Sequence, residues 1–331
     1  MNNSVKNYYQ GIYLTETILG NPNGDFIDNS PRNIDGKVFT TDKCIKYNVR
    51  KYIHENYENI NENNEINDFV FFYPRRSEDI KNYDSKFQTK EKIFEDIFEK
   101  DFDLLLKSAI DIRMFGGTFS FKKKNFAKQT DISPKQIYGP IQLSYGKDIN
   151  NAQIKELGIN APFPTGENKQ TTNGSEAVVD DAIISYDITI NPNNYPGLLK
   201  ESDLELFKKS LWFGTNLRKS TSKKTDSKLL LLVKFKNDEE NDKIKSFNIG
   251  EIKELISIKD KEERKRNVSD SSLKIDIDTS KLENKLKDYC EFIEKVIIYR
   301  SEEELEINLK LGDESTIEIE YIEPKILLKE E

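Results

Sequence analysis

The order in which strand and helix patterns follow one another restricts the fold of this chain more than any other feature of its sequence. Leu229–Phe235, LLLLVKF, is a short continuous apolar run typical of a buried strand. Thr41 and Asp42 carry side-chain oxygens that can cap a helix. The six predicted elements are, in chain order, strand Gly11–Leu19, the helix after Thr41–Asp42, strands Ile137–Leu143 and Val178–Ile190, helix Ser202–Phe213 and strand Leu229–Phe235. This order predicts an α+β fold with an RRM-like, ferredoxin-like antiparallel sheet backed by helices.

Other segments lengthen this core. Apolar residues recur at helical spacing over Glu91–Ser108, which predicts one further helix. The Asn- and Glu-rich stretch Asn56–Asn67 predicts an exposed insertion. With 36% hydrophobic residues in a chain of 331, the sequence can bury a substantial core, so we expect a single elaborated domain.

The charge of the chain is distributed unevenly. The net charge is -8, and Ser301–Glu331 accounts for all of it, with eleven acidic residues and three lysines. Three segments are basic: residues 31–51, 113–128 and 208–228 carry net charges of +4, +5 and +6. If they converge on one face, they form a track for phosphate groups, because bound Lys and Arg release condensed counterions. For each segment taken alone, the pattern favours a solvated loop.

Cysteine and histidine usage restricts the chemistry. Cys44 and Cys290 stand alone, and His54 is the only histidine. This pattern argues against a structural zinc site and a Cys/His nucleophile, and we expect neither a metal nor a cofactor. The chain has no apolar run long enough for a membrane span and no signal-peptide pattern at its start. We therefore expect a cytoplasmic protein without a membrane partner.

Four ordered groups of motifs make the sequence specific. They are Gly20–Asp25 (GNPNGD) with Asp28–Arg32 and Thr41–Arg50, Asp111–Gly117 (DIRMFGG), Gly139–Gly146 (GPIQLSYG), and Leu211–Asn216 (LWFGTN) followed by Phe247–Gly250. In this order they resemble the motifs of the CRISPR-associated backbone subunit of type I Cascade complexes, a RAMP superfamily protein, and most closely its subtype I-B branch. The resemblance runs from about residue 11 to about residue 257.

The resemblance implies a scaffold without catalytic activity that binds crRNA. Such a subunit polymerises along the guide RNA with other copies of itself, joins other Cascade subunits and presents the guide to target DNA. Backbone contacts suit this task because they position any guide without reading its sequence. The residues implied to contact RNA are Asn23, Gly24, Arg32, Thr41, Lys43, Lys46, Arg50, Arg113, Phe115, Gly116, Gly117, Gln142, Asn216, Arg218 and Lys219.

The resemblance also implies how the single domain, residues 1–331, is divided. The RRM-like palm is expected to comprise residues of about 8–56, 137–145 and 178–236, with a helical insertion at 57–136. A thumb hairpin is implied within residues 146–190, and an α/β extension covers 237–331.

The sequence departs from the family pattern at two places. Tyr47 stands where relatives often carry a basic residue. The thumb region carries the acids Glu176, Asp180, Asp181 and Asp187 and few basic residues, so no residue of the thumb is assigned a role.

Two other functions remain open at the sequence level. Asp25, Asp28 and Asp35 follow the first strand, and related type III backbone subunits resemble this chain in placing an RNA-cleaving Asp near there. Such a carboxylate could hold Mg²⁺ and make the chain a metal-dependent endoribonuclease. Asp is also a common turn former, which favours the scaffold. A protein-interaction scaffold that binds no nucleic acid is the third hypothesis.

Overall fold

The computed structural model describes residues 4–60, 66–75, 87–121, 135–161, 172–237, 245–262, 274–312 and 315–329. The strands are β1 Tyr9–Gly20, β2 Asn33–Ile34, β3 Lys37–Thr40, β4 Asn59–Ile60, β5 Ile66–Asn67, β6 Gly116–Phe119, β7 Lys135–Tyr138, β8 Ile141–Leu143, β9 Gly146–Asp148, β10 Ile154–Ala161, β11 Thr172–Ile190, β12 Thr225–Phe235, β13 Ser257–Ile258, β14 Ile275–Asp278, β15 Ile293–Arg300, β16 Leu305–Glu306 and β17 Glu318–Ile322. The helices are α1 Asp42–Asn56, α2 Lys90–Asp96, α3 Phe102–Ser108, α4 Ile110–Phe115, α5 Glu201–Leu217 and α6 Ser280–Asp288.

One large sheet organises the chain around β1. The order of its strands is β17-β15-β12-β1-β11-β9-β3-β2, and β8 and β10 also pair with β11. β1 runs antiparallel to β11 and β12, while β15 and β17 form a parallel pair. The prediction of an α+β fold with an antiparallel-rich sheet is confirmed.

Both faces of this sheet are covered by other parts of the protein. Side chains of successive strand residues point to opposite faces, so each strand contributes to both cores. Tyr9 and Tyr13 of β1 belong to a core that includes Val49 of α1 and Phe207 of α5. Ile12 and Leu14 face a second core built largely from residues beyond 237, including Leu282 and Ile298. The C-terminal extension therefore covers the sheet face opposite α1 and α5, which explains why β1 is apolar on both sides.

The insertion after α1 has a core of its own that is rich in phenylalanine. Phe69, Phe71, Phe94, Phe98 and Phe119 are fully buried within it. The prediction of one helix over Glu91–Ser108 is wrong: α2 ends at Asp96 and α3 begins at Phe102. Glu99 and Lys100 between them have φ angles of 52° and 62°, which no α-helix accommodates.

β10 and β11 form a long antiparallel hairpin, in which residues 172–178 of β11 pair with β10 and not with β1. Their pairing continues from Ile154 opposite Val179 to Ala161 opposite Thr172. The hairpin lies where the thumb is expected, although residues 162–171 at its tip lie outside the described residues. No helix in the described part of the chain is long and apolar enough to cross a membrane.

Candidate nucleic-acid interface

The loop after β1, residues 21–32, is anchored to the start of α1. Oδ1 of Asn23 accepts hydrogen bonds from the backbone N–H of Thr41 (3.0 Å) and from its hydroxyl group (3.2 Å). The thiol of Cys44 donates to the carbonyl of Pro22, with 3.6 Å between the sulfur and the oxygen. Asn23 and Thr41 thus hold the loop against the helix end whose unpaired N–H groups and dipole favour anions.

Gly24 and Arg32 form contacts with other residues of this loop. A guanidinium nitrogen of Arg32 lies 2.9 Å from Oδ2 of Asp25. Gly24 pairs with Pro31 through the backbone, and a Cβ on Gly24 would lie 2.5 Å from Oδ1 of Asn29. Both residues were predicted to contact RNA, and in this structure their immediate partners belong to the loop itself.

Lys46 and Arg50 of α1 meet the residue 111–117 motif. The ammonium of Lys46 lies 2.9 Å from Asp42 and 5.4 Å from the centroid of the Phe115 ring. Nε of Arg50 lies 2.9 Å from Oδ2 of the buried Asp111, and its guanidinium lies 5.3 Å from the same ring. The fold therefore brings two predicted motifs together, but each of the two cations already faces a carboxylate.

Arg113 has a different environment from the one that the sequence suggested. Its side chain is buried and forms a bidentate ion pair with Asp203, with Nε 2.9 Å from Oδ2 and Nη2 2.8 Å from Oδ1. It also donates to the carbonyl of Lys107 (2.7 Å) and to Asp68 (3.3 Å). This burial and these partners give Arg113 a structural role, and its expected RNA contact stays a prediction.

Gly116 and Gly117 allow close packing beneath α1. Gly116 has a φ angle of 69°, and a Cβ there would lie 2.2 Å from the carbonyl oxygen of Ile137. A Cβ on Gly117 would lie 2.5 Å from the ring of Phe72. At residue 116, only glycine fits both the positive φ angle and the close carbonyl oxygen of Ile137. The two glycines position Phe115 against Lys46 and Arg50.

Three further predicted residues also have partners within the fold. The side-chain amide of Gln142 donates to a nearby backbone carbonyl, at 2.8 Å. Oδ1 of Asn216 accepts from the N–H of Ser227 at 2.7 Å, which ties the end of α5 to β12. Lys219 forms an ion pair with the neighbouring Asp226.

Arg218 and Lys223 lie beside α1, and neither of them pairs with a carboxylate of the described residues. The guanidinium of Arg218 donates to Oδ1 of Asn48 at 2.9 Å and lies 4.6 Å from the centroid of the Tyr47 ring. The ammonium of Lys223 donates to the carbonyl of Asn21 at 2.8 Å. The α5–β12 connection therefore places two cations against α1 and the root of the loop.

Lys43 and Lys224 complete a surface that we call the basic surface, defined as Lys43, Arg218, Lys223 and Lys224. Lys43 is exposed in the first turn of α1, and Lys224 is exposed beside Gly20. Within the described residues, none of these four cations forms an ion pair with a carboxylate. They come from two of the three basic segments, whereas Lys122–Lys124 and Lys128 of the third lie outside the described residues.

The electrostatics of Lys223 reflect this crowding. Burial lowers the pKa of Lys223 below its ordinary value, and the charge of Arg218 lowers it further, while Cys44 acts in the opposite direction. Two adjacent cations without a carboxylate repel each other, so an anion placed between them would relieve the repulsion. The arrangement can therefore bind a phosphate group.

Lys223 was not among the residues predicted to contact RNA, although it lies in the most basic of the three segments. Lys219 of the same segment was predicted instead. The only available signal was the absence of acidic residues over 218–225, because Asp226 is the first acid after Arg218.

The carboxylates of the loop are engaged locally. Oδ1 of Asp25 accepts the N–H of Ile27 at 3.0 Å, and Oδ1 of Asp28 accepts the N–H of Ser30 at 2.9 Å. The hydrogen bonds from Ser30 lower the pKa of the exposed Asp28. Among the described residues, no three His, Cys, Asp or Glu side chains cluster in a way that could hold a metal ion.

Two solved chains were found to be similar to this one. One solved chain of a CRISPR RNA-guided surveillance complex is 10% identical, covers 97% of this chain and 96% of its own length, and gives a TM-score of 0.48. A chain from such a complex in a pre-nicking state is also 10% identical, covers 97% of both chains and gives a TM-score of 0.50. At this identity, the second likeness concerns the fold alone.

A search of curated protein sequences gave no match. The sequence model of a family described as CRISPR-associated protein Cas7 matches residues 7–278. This match covers most of the 331 residues and extends beyond both ends of the motif resemblance. The chain therefore belongs to the Cas7 family of CRISPR-associated proteins.

Proposed function

We propose that this Cas7 protein is a crRNA-binding backbone subunit of a type I Cascade complex, most like subtype I-B. In this proposal the protein polymerises along the guide RNA in the cytoplasm and presents the guide for pairing with target DNA. Its partners are crRNA, target DNA, other copies of the chain and the other Cascade subunits. It acts as a scaffold and needs no cofactor.

The observation that carries the proposal is the basic surface at the start of α1. Other basic residues nearby already face carboxylates, as Lys46 faces Asp42 and Lys219 faces Asp226. Among the described residues, the four cations of the basic surface face no carboxylate, and Lys43 lies in the first turn of α1, where the helix dipole favours anions. Contacts of this kind hold a nucleic-acid backbone without reading bases, which suits a subunit that must accept any guide.

The topology supports an RRM-like palm and a thumb. β12, β1, β11 and β8 neighbour one another in that order, and α1 and α5 pack on one face. This strand order fits a ferredoxin-like core of strand, helix, two strands, helix and strand. The β10–β11 hairpin projects from this core at the place where a thumb is expected.

The test is RNA binding by an Arg218→Ala/Lys223→Ala double variant. We expect weaker binding to single-stranded RNA of any sequence, because two phosphate contacts are lost. The slope of log affinity against log salt should fall by about 0.7 for each lost contact. Lys259→Ala is the matched control, because Lys259 is an exposed lysine on the C-terminal extension that pairs with Asp276.

Wild-type affinity in the double variant would contradict this assignment of the binding surface. Losses that depend on RNA sequence would mean that the two residues contact bases rather than phosphates. Purified protein that neither carries nor binds RNA would favour the protein-interaction scaffold instead.

A further inference from the structure

The tip of the loop after β1 presents two large apolar side chains to solvent. Phe26 is 98% exposed and Ile27 is 95% exposed, more than any other large hydrophobic residue in the described part of the chain. An isolated exposed apolar side chain is common, but two adjacent ones at the end of a projecting loop are a candidate contact surface.

The loop holds this tip in place through its own hydrogen bonds. The N–H of Asp25 donates to the carbonyl of Ser30 at 2.8 Å, which closes the loop. The carboxylates of Asp25 and Asp28 accept the N–H groups of Ile27 and Ser30. Phe26 lies inside this bonded segment, so its exposure is imposed by the backbone and does not depend on contact with the rest of the protein.

One face of the Phe26 ring already has a cation beside it. The guanidinium carbon of Arg32 lies 5.3 Å from the ring centroid, and Arg32 is held by Asp25 at 2.9 Å. Arg32 therefore lies beside one face of the ring, while nearly all of the side chain is open to solvent. An aromatic ring supported in this way is suited to stacking on a flat ligand.

The charge at the root of the loop indicates which ligand this is. Lys223 donates to the carbonyl of Asn21, and Asn23 holds the start of α1, where Lys43 lies. The uncompensated positive charge of the basic surface fits a polyanion. Nucleic acid supplies both the phosphates for that surface and flat bases within reach of the tip. The surface of two apolar side chains is much smaller than the roughly 800 Å² that each partner buries in a typical protein interface, which favours nucleic acid over a protein partner.

We propose that Phe26 stacks on an unpaired base of the RNA strand whose backbone lies on the basic surface. This inference rests on the proposed function and adds a base contact to it. Stacking on an aromatic ring accepts all four bases, because every base has a π face. The contact would hold one base of the guide in place without selecting its identity.

A tryptophan at the tip provides a direct test. Trp212 is the only tryptophan of the chain and is 4% exposed, so Phe26→Trp adds a single solvent-exposed reporter. We expect its fluorescence to be quenched when single-stranded RNA is added. Ile27→Trp is the matched control, because residue 27 is nearly as exposed but is not the proposed stacking position, and we expect much weaker quenching there.

The RNA can be varied to separate base from backbone. An abasic ribose-phosphate strand should bind the basic surface but leave the fluorescence of Phe26→Trp unchanged. Equal quenching in Phe26→Trp and Ile27→Trp, or quenching by the abasic strand, would overturn the stacking proposal while leaving the proposed function intact. Loss of RNA binding in Arg218→Ala/Lys223→Ala tests the proposed function separately.

Affinity provides a second readout. Phe26→Leu keeps an apolar side chain but removes the ring, so we expect RNA binding about fivefold to a hundredfold weaker, whereas Phe26→Tyr should bind as the wild type does. Unchanged RNA affinity in Phe26→Leu would overturn the proposal. A change in Phe26→Trp fluorescence that follows protein concentration without RNA would instead identify the tip as a protein contact.

Discussion

Arg113 and Asp203 form an ion pair in the interior of the protein. Two guanidinium nitrogens lie 2.9 Å and 2.8 Å from the two carboxylate oxygens, and the side chains are 4% and 2% exposed. The carboxylate also accepts the N–H of Lys200 at 3.1 Å, at the start of α5. The pair joins α4 to α5 and thereby fixes the motif on which Lys46 and Arg50 rest.

Arg113→Ala should destabilise the fold by about 3–5 kcal/mol, because it leaves the carboxylate of Asp203 buried without its counter-charge. The measurement is the free energy of unfolding from urea denaturation. Lys259→Ala, which breaks an exposed pair, should change the free energy of unfolding by less than about 0.5 kcal/mol. A stable Arg113→Ala protein that has lost RNA binding would restore Arg113 as a ligand contact.

The basic residues show how far the sequence can be interpreted. Charge and motif predicted RNA contacts in α1 and in the segment after α5, and the fold places Arg218 of that segment against Cys44 and Asn48 of α1. The sequence did not indicate which cations are already paired, because the partners of Arg50 and Arg113 are distant in the chain, at Asp111 and Asp203. Such pairing depends on the tertiary fold.

Gly116→Ala should be strongly destabilising for two reasons that can be separated. Its φ angle of 69° disfavours a side chain, and its Cβ would lie 2.2 Å from a backbone oxygen. We expect a loss clearly greater than about 1 kcal/mol in the free energy of unfolding.

Two matched glycines isolate these causes. Gly36 has a φ angle of 78°, and a Cβ there would have none of the described atoms within 4 Å, so Gly36→Ala reports the backbone term alone. Gly158 has neither a positive φ nor a described atom that close, so Gly158→Ala should be near neutral. A loss of stability in Gly116→Ala no larger than that in Gly36→Ala would show that the close packing is unimportant.

The order of strands and helices in the core could be predicted, but the interruption of the insertion could not. Alternation and apolar runs depend on neighbouring residues, so β1, α1, α5 and β12 were indicated by local patterns. The break between α2 and α3 occurs at Glu99 and Lys100, two residues with no intrinsic preference for positive φ. It allows Phe98 and Phe102 to enter one aromatic core, which helical spacing alone does not reveal.

The lowered pKa of Lys223 predicts a pH dependence of RNA binding. This lysine loses its proton at a lower pH than the ordinary value of 10.5, and phosphate binds only the protonated form. RNA affinity should therefore fall as the pH rises toward 10.5, and fall less in Lys223→Arg, whose charge does not titrate in this range. Binding measured across alkaline pH at constant salt is the test, and identical profiles for the two proteins would contradict it.

The same shift has the opposite effect on stability. The unfolded state holds the proton of Lys223 more tightly than the folded state does. As the pH rises through the pH range in which Lys223 titrates, this residue therefore makes the free energy of unfolding increase. Lys223→Met should remove that contribution. The test is urea denaturation of the wild type and Lys223→Met across alkaline pH. If burial disfavours the charged lysine, the difference between their free energies of unfolding should narrow as the pH rises. A constant difference would contradict this prediction.

The loop carboxylates allow a final prediction about catalysis. Asp25 is held by Arg32 and by the N–H of Ile27, and Asp28 is held by Ser30. These contacts give both carboxylates a role in shaping the loop. We therefore expect RNA complementary to the guide to remain intact when it is incubated with the assembled protein and Mg²⁺. A carboxylate needed for cleavage must be free to bind the metal ion. Cleavage that disappears in Asp25→Ala or Asp28→Ala would instead show that the loop acts as a metal-dependent endoribonuclease.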